Sequence, residues 1–354
     1  ISGVPTLTRY LMKTSLRSTP ILIGLALAVG ITCCATEVDA QTEAPKEVPK
    51  TGLKAKQTDR PAIVFLVAGQ SNAGGCGVLS PEIHKAMGRA KKRPLVPGST
   101  AKEVGLSTDS ADYTHSYMWV PELGFQRTDP KVNTRPVEMN GNWHGMELPV
   151  IRELEKRFPD HDIYVVKYGP GGTNLHHQWN PARNDGLYAA WLGYYRKAMA
   201  QLRNEYPQVR VAGLYWDQGE SDGIDNKHAE YAKNLANLVA AVRRDTGLAK
   251  LKVFIRKHIF NCPNVDAIIA AQEKVAMDDP RCFLLDISLR NRKANYKAWA
   301  YSPGNGHVSS RGFVELTKRL FDGPLRDATV ESFDNVPAAK PGAAAEPAVP
   351  SISQ

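Results

Sequence analysis

Cysteine is scarce, with five in 354 residues, and Cys33 and Cys34 stand at the edge of an N-terminal apolar segment. The other three, Cys76, Cys262 and Cys282, show no Cys-x-x-Cys spacing, which argues against a zinc site and against a disulfide framework. A Cys262–Cys282 bridge stays open beside the reading of all three as small buried hydrophobes. Long apolar runs are missing too: Ile21 to Thr32 falls short of the roughly 20 residues a membrane-spanning helix needs. No phosphate-loop lysine and no Gly-x-Gly-x-x-Gly follow the first predicted strand, which argues against nucleotide binding. The net charge of +9 is spread along the chain without a basic stripe of interleaved aromatics, which argues against nucleic acid as a partner.

What the N-terminus does have is the pattern of a cleaved secretory signal. Lys13 and Arg17 precede the apolar run, and Val38-Asp39-Ala40 offers small residues to a peptidase. Met12, just before the charged segment, reads as the start. A lipoprotein anchor at Cys33 is the weaker reading, because Ile31-Thr32 lacks the small residue a lipobox needs. The expectation is an exported protein, periplasmic or extracellular, with no stable membrane anchor. Residues 1–40 are assigned to the signal, 41–60 to a flexible linker, 61–330 to one domain and 331–354 to an Ala/Pro-rich disordered tail.

Within the domain, five short apolar runs at 62–68, 162–168, 209–216, 251–257 and 282–287 read as buried strands. Helical spacing of apolar residues covers Met146 to Phe158, Leu187 to Tyr206, Lys227 to Thr246, Val265 to Met277 and Ser310 to Phe321. Strand–helix alternation implies a parallel sheet with helices on both faces. Residues 75–145 break the rhythm and read as a long excursion above the sheet that walls a substrate site.

In a doubly wound sheet, ligands sit beyond the carboxyl ends of the strands. Those ends are polar and glycine-rich here: Gly69-Gln70-Ser71-Asn72, Gly169-Pro170-Gly171-Gly172-Thr173-Asn174, and Asp217-Gln218-Gly219-Glu220-Ser221-Asp222, with His307 after the last strand. A serine at a strand-to-helix turn presents its hydroxyl above the sheet beside amides that favour negative charge, the logic of acyl transfer. Its plainer reading is a helix cap. His176 and His177 are adjacent, cannot share a helical face and lack partners at ligand spacing, so no metal is expected.

Together GQSN at 69–72, Gly145-Met146-Glu147, GGT at 171–173 followed by Trp179, and WDQGESD at 216–222 resemble the sialate O-acetylesterase domain of the SGNH-hydrolase superfamily, over residues 61 to about 322. The resemblance implies a three-layer α/β/α fold with a five-stranded parallel, flavodoxin-like sheet. It implies Ser71 as nucleophile, His307 as general base, and an oxyanion hole from the Ser71 and Gly172 amides and the Gln218 side chain. Asn72, Thr173, Trp179 and Glu147 are the expected substrate contacts, and Trp143, Trp119, Tyr113 and Tyr117 are further rings that sugar stacking would use.

One position departs from the family. The aspartate expected three residues before the histidine is Gly304, followed by Asn305, and neither carries charge. Glu220 is the expected replacement acid, with Asp222 and Asp286 behind it; the competing reading makes Glu220 a structural carboxylate bonded to the Ser71 turn. The basic stretch Lys85, Arg89, Lys91, Lys92 and Arg93 reads as a solvated face, or as a means of steering an acidic glycan. The function expected is removal of O-acetyl groups from a glycan through an acetyl-serine, without a cofactor. A hydrolase of other short acyl esters and a glycan-binding pseudoenzyme are the alternatives. Oligomeric state is not encoded in any motif.

Overall fold

The computed structural model describes residues 60–88, 91–136 and 142–338. The signal segment, the linker up to residue 59 and the tail from 339 lie outside the described residues.

In chain order the elements are β1 (Ala62–Gly69), α1 (Ser71–Gly74), β2 (Gly77–Val78), α2 (Pro81–Ala86), β3 (Ser116–Val120), β4 (Gly124–Arg127), β5 (Trp143–His144), α3 (Glu147–Arg157), β6 (Asp162–Tyr168), α4 (Leu187–Glu205), β7 (Val209–Asp217), α5 (Glu220–Ile224), α6 (Tyr231–Thr246), β8 (Val253–Arg256), α7 (Val265–Asp278), β9 (Cys282–Leu285), α8 (Arg292–Trp299), α9 (Ser310–Asp322) and β10 (Asp334–Asn335). The main sheet runs β4-β3-β6-β1-β7-β8-β9, with β10 attached to β7. Five of its strands, β6-β1-β7-β8-β9, pair in parallel in the flavodoxin-like order.

β1 shows why the strands are apolar on both faces. Ala62, Val64, Leu66 and Ala68 enter one core with α4, α6 and α7, while Ile63, Phe65 and Val67 enter the other with α3 and α9. A strand covered on both faces has no polar side to alternate with. Each fully buried Val, Leu or Phe contributes roughly 1.5–3 kcal/mol, so β1 alone anchors both layers.

Two features differ from the sequence reading. The 75–145 excursion is not wholly a wall: β3 adds to β6 in parallel and returns through β4 as an antiparallel edge hairpin. Alternating Tyr117 and Trp119 before Pro121 carried that signal, diluted by the polar residues around it. Residues 331–338 are not all tail, since β10 pairs antiparallel with Val211 and Arg210 of β7. Of the two readings left open for the cysteines, the bridge is absent: Cys76, Cys262 and Cys282 are free thiols, Cys76 and Cys282 buried and Cys262 partly so, and burial pushes those of Cys262 and Cys282 up to about 12.

One polar contact inside the fold has a pH signature. His144 is fully buried, with Nδ1 2.9 Å from the Gly145 carbonyl and Nε2 2.7 Å from Ser310 Oγ at the start of α9. Burial holds its imidazole down to about 4, against the raising influence of Glu147. The unfolded chain therefore takes up a proton here that the folded chain refuses, and stability rises with pH between about 4 and 6.5. His144 should contribute up to about 3 kcal/mol of acid destabilisation across that window. Denaturant titrations at several pH values check this: His144→Asn should flatten the slope, and an unchanged slope would refute the assignment.

Candidate active site

The turns after β1, β6 and β7 approach so closely that only glycine fits between them. A Cβ on Gly69 would lie 2.1 Å from the Asp217 carbonyl oxygen, and one on Gly74 would lie 2.4 Å from that of Gly169. This close contact sets Ser71, the first residue of α1, at the carboxyl edge of the sheet with 8% exposure.

His307 reaches the same place from the loop before α9. The loop is pinched at its base, where Ser309 N donates to the Trp299 carbonyl at 2.7 Å and Tyr301 N donates to that of His307 at 3.3 Å. Ser309 then caps α9 through Gly312 N. The result places His307 Nε2 2.9 Å from Ser71 Oγ, within reach for proton transfer.

The other imidazole nitrogen is held by a residue to which the sequence had given no role. Asn305 Oδ1 lies 2.6 Å from His307 Nδ1 and accepts the His307 main-chain N–H at 3.0 Å. Asn305 can turn back because Asn305 N donates to the Ser302 carbonyl at 3.1 Å around Gly304, which adopts φ +70°. Left-handed backbone at that position favours glycine. The position where the resemblance implied an acid is thus a turn residue here, and the side chain facing Nδ1 comes from the next residue. With Oδ1 facing Nδ1, the imidazole carries its proton on Nδ1 and leaves Nε2 free to accept from Ser71.

Asn72 joins the two halves. It is fully buried, accepts Val308 N at 2.9 Å on Oδ1, and donates through Nδ2 to Glu220 Oε1 at 3.1 Å, with the Gly306 carbonyl at 3.5 Å.

Residues 61–325 match the family described as carbohydrate esterase, sialic acid-specific acetylesterase. The chain belongs to this family. Among solved structures, a protein from Arabidopsis thaliana superposes with a TM-score of 0.55 at 17% identity, covering 75% of this chain and 99% of that one. NanS superposes with a TM-score of 0.50 at 17% identity, covering 77% of this chain and all of its own. At such identity these likenesses speak for the SGNH-type fold. No curated protein matches the chain.

In this carbohydrate esterase the three carboxylates expected near the base are engaged elsewhere. Glu220 Oε1 accepts from Arg256 Nη2 at 2.9 Å, and Oε2 lies 3.1 Å from His258 Nε2. Burial works against its charge, but His258 and Arg256 outweigh it and hold the carboxyl well below the usual range. Asp222 accepts the Leu175 and His176 amides at 2.7 and 3.0 Å, clamping the turn after β6 to α5; burial raises its carboxyl in spite of these bonds. Asp286 pairs with Lys257 Nζ at 3.0 Å. The replacement-acid reading of Glu220 is therefore corrected to the competing one: its carboxylate braces the Ser71 turn through Asn72.

Gln218 also takes a different role. Fully buried, its Nε2 faces Asp222 Oδ2 at 2.6 Å, the Thr173 carbonyl at 3.0 Å and Gln70 Oε1 at 3.2 Å. Two N–H groups are spent on three acceptors, so none is left for an oxyanion. Gly172 sits exposed at φ +69° in the turn after β6, on the solvent side of this network.

The expected sugar contacts are likewise internal. Trp179 is fully buried and donates its indole N–H to Thr173 Oγ1 at 3.1 Å. Glu147 is buried against Lys167 Nζ at 2.7 Å and accepts Gly145 N at 2.8 Å, fixing the start of α3. Tyr117 stacks on Tyr164, Trp119 packs against Phe125, Trp143 packs edge-on to Tyr301, and Tyr113 is fully buried. Periodicity and composition could not separate rings at a rim from rings beneath it.

The two candidate orienters of the base separate experimentally. Asn305→Ala should lower kcat about 10- to 100-fold with only a small change in Tm, because the side chain is half-exposed and its lost bonds lie within one loop. Glu220→Gln should instead cost about 3 kcal/mol of stability, the scale of breaking one side of a buried pair, while preserving an acceptor for Asn72. Acetate-release kinetics and denaturation curves on both variants decide; a larger kcat loss for Glu220→Gln would return the acid role to Glu220.

Proposed function

We propose that this family member is a serine-dependent O-acetylesterase acting on an acetylated carbohydrate. The observation that carries the reading is the 2.9 Å approach of His307 Nε2 to Ser71 Oγ, between residues 236 positions apart.

Ser71 Oγ attacks the acetyl carbonyl carbon while its proton passes to His307 Nε2. The oxygen that becomes negative is stabilised by the main-chain amides of Ser71 and Gly172, the two donors not consumed by the Gln218 network. Collapse breaks the bond to the sugar oxygen, which takes the proton from the imidazolium. Water, deprotonated by His307, then attacks the acetyl-serine and releases acetate with Ser71 restored. All groups required are the protein's own, and no cofactor enters.

Asn305 bears on the efficiency of these steps. Its carbonyl fixes the tautomer but brings no negative charge to the imidazolium, so the transition state is stabilised less than with a carboxylate. That neutrality also motivates a second reading, a glycan-binding protein with little turnover. The excess of cations over the whole chain suits an acidic glycan, and the apolar N-terminal run suits export. Among the described residues no helix is long and apolar enough to cross a membrane.

Acetate release from a small aryl acetate and from acetylated glycans tests the reading. Ser71→Ala should lower kcat/KM by at least about 1000-fold while glycan retention stays measurable. Glycan retention by the wild type without acetate release would favour the binding protein instead.

A further inference from the structure

Asn305 must hold its carbonyl oxygen on the imidazole without the help of charge, and the surrounding contacts show how its other end is gripped. Asn305 Nδ2 donates to Tyr301 Oη at 3.4 Å, and the same phenol oxygen accepts from Arg93 Nη1 at 3.2 Å. Tyr301 is 1% exposed, its ring packed edge-on to Trp143 at 5.5 Å and 6.4 Å from that of His307. Its main chain belongs to the pinched base of the His307 loop and also accepts Val96 N at 2.9 Å. The phenol oxygen is therefore a fixed point, while Asn305 is half-exposed on a glycine turn.

We infer that Tyr301, held by Arg93, is a positioning residue for the reaction: it pins the Asn305 amide so that its oxygen stays on His307 Nδ1. The inference rests on the esterase reading above. The order of groups is Arg93, Tyr301, Asn305, His307 and Ser71, each within hydrogen-bond distance of the next. Arg93 thereby leaves the solvated basic stretch to which the sequence assigned it.

The main-chain N–H of His307 selects the orientation of the amide, since a flipped Asn305 would turn its NH2 toward that donor. Selecting an orientation does not hold a side chain in place. A neutral acceptor on a short turn rotates away at little cost unless its far end is also bonded. An aspartate in place of Asn305 would be held by charge on the imidazolium, and either of its oxygens would serve. The need for Tyr301 is thus specific to an amide at this position.

That specificity gives a test on the full-length protein with an aryl acetate. Tyr301→Phe keeps the ring and removes the hydroxyl; it should lower kcat about 10-fold with KM changed less than about twofold. In the Asn305→Asp background the same substitution should cost less than about twofold. Should Tyr301→Phe not fold, Arg93→Met probes the same chain of contacts, with an expected loss of about threefold that again vanishes in the Asn305→Asp background. An unchanged kcat in the amide background, or an equal loss in both backgrounds, would overturn the inference, because a role in loop shape alone does not depend on which side chain follows Gly304. Absence of Ser71-dependent acetate release in the wild type would instead overturn the esterase reading and this inference with it.

Discussion

The side chain of Asn72 is the contact on which the arrangement of the site depends. It follows Ser71 directly, and its oxygen receives the amide of Val308, which follows His307 directly. One buried amide therefore ties the Ser71 turn to the His307 loop, which belong to segments at opposite ends of the domain. An amide in that position is costly if either end is left unpaired. The other end is satisfied by Glu220, whose own charge is countered by Arg256 and whose second oxygen lies beside His258 Nε2. Arg256 in turn pairs with Asp217 at 2.7 Å at the end of β7. A connected set of buried polar and charged groups thus underlies the Ser71 turn.

Carboxylates at this sheet edge work mainly as clamps. Asp222 gathers two amides of the turn after β6, and Glu147 receives Lys167 and an amide at the start of α3. Each closes a loop onto its neighbour, where backbone N–H groups would otherwise lie buried without acceptors. The group on the far side of the imidazole, by contrast, is neutral and sits on a short glycine turn. Tautomer control and electrostatic support, which an aspartate would supply together, are separated here: Asn305 gives the first without the second.

The ring of loops is held tighter than its polarity suggests. Gly69 and Gly74 let backbone meet backbone where any Cβ would collide. The aromatic residues of the 75–145 segment fill the space beneath the rim, partly as the β3–β4 edge of the sheet.

The sequence by itself determined the strands that carry the site. Runs buried on both faces have no polar side, so β1, β6, β7, β8 and β9 were legible as apolar stretches, and the glycines and polar residues after them marked the edge where Ser71, Gln218, Glu220 and His307 gather. Tertiary structure decided what each polar residue does there. Whether Glu220 faces His307 or the Arg256–His258 pair depends on which distant segment packs beside it, and the left-handed turn at Gly304 brings Asn305 to the His307 ring. Local pattern records burial and backbone preference, whereas hydrogen-bond partners hundreds of positions apart are chosen only when the loops close on one another.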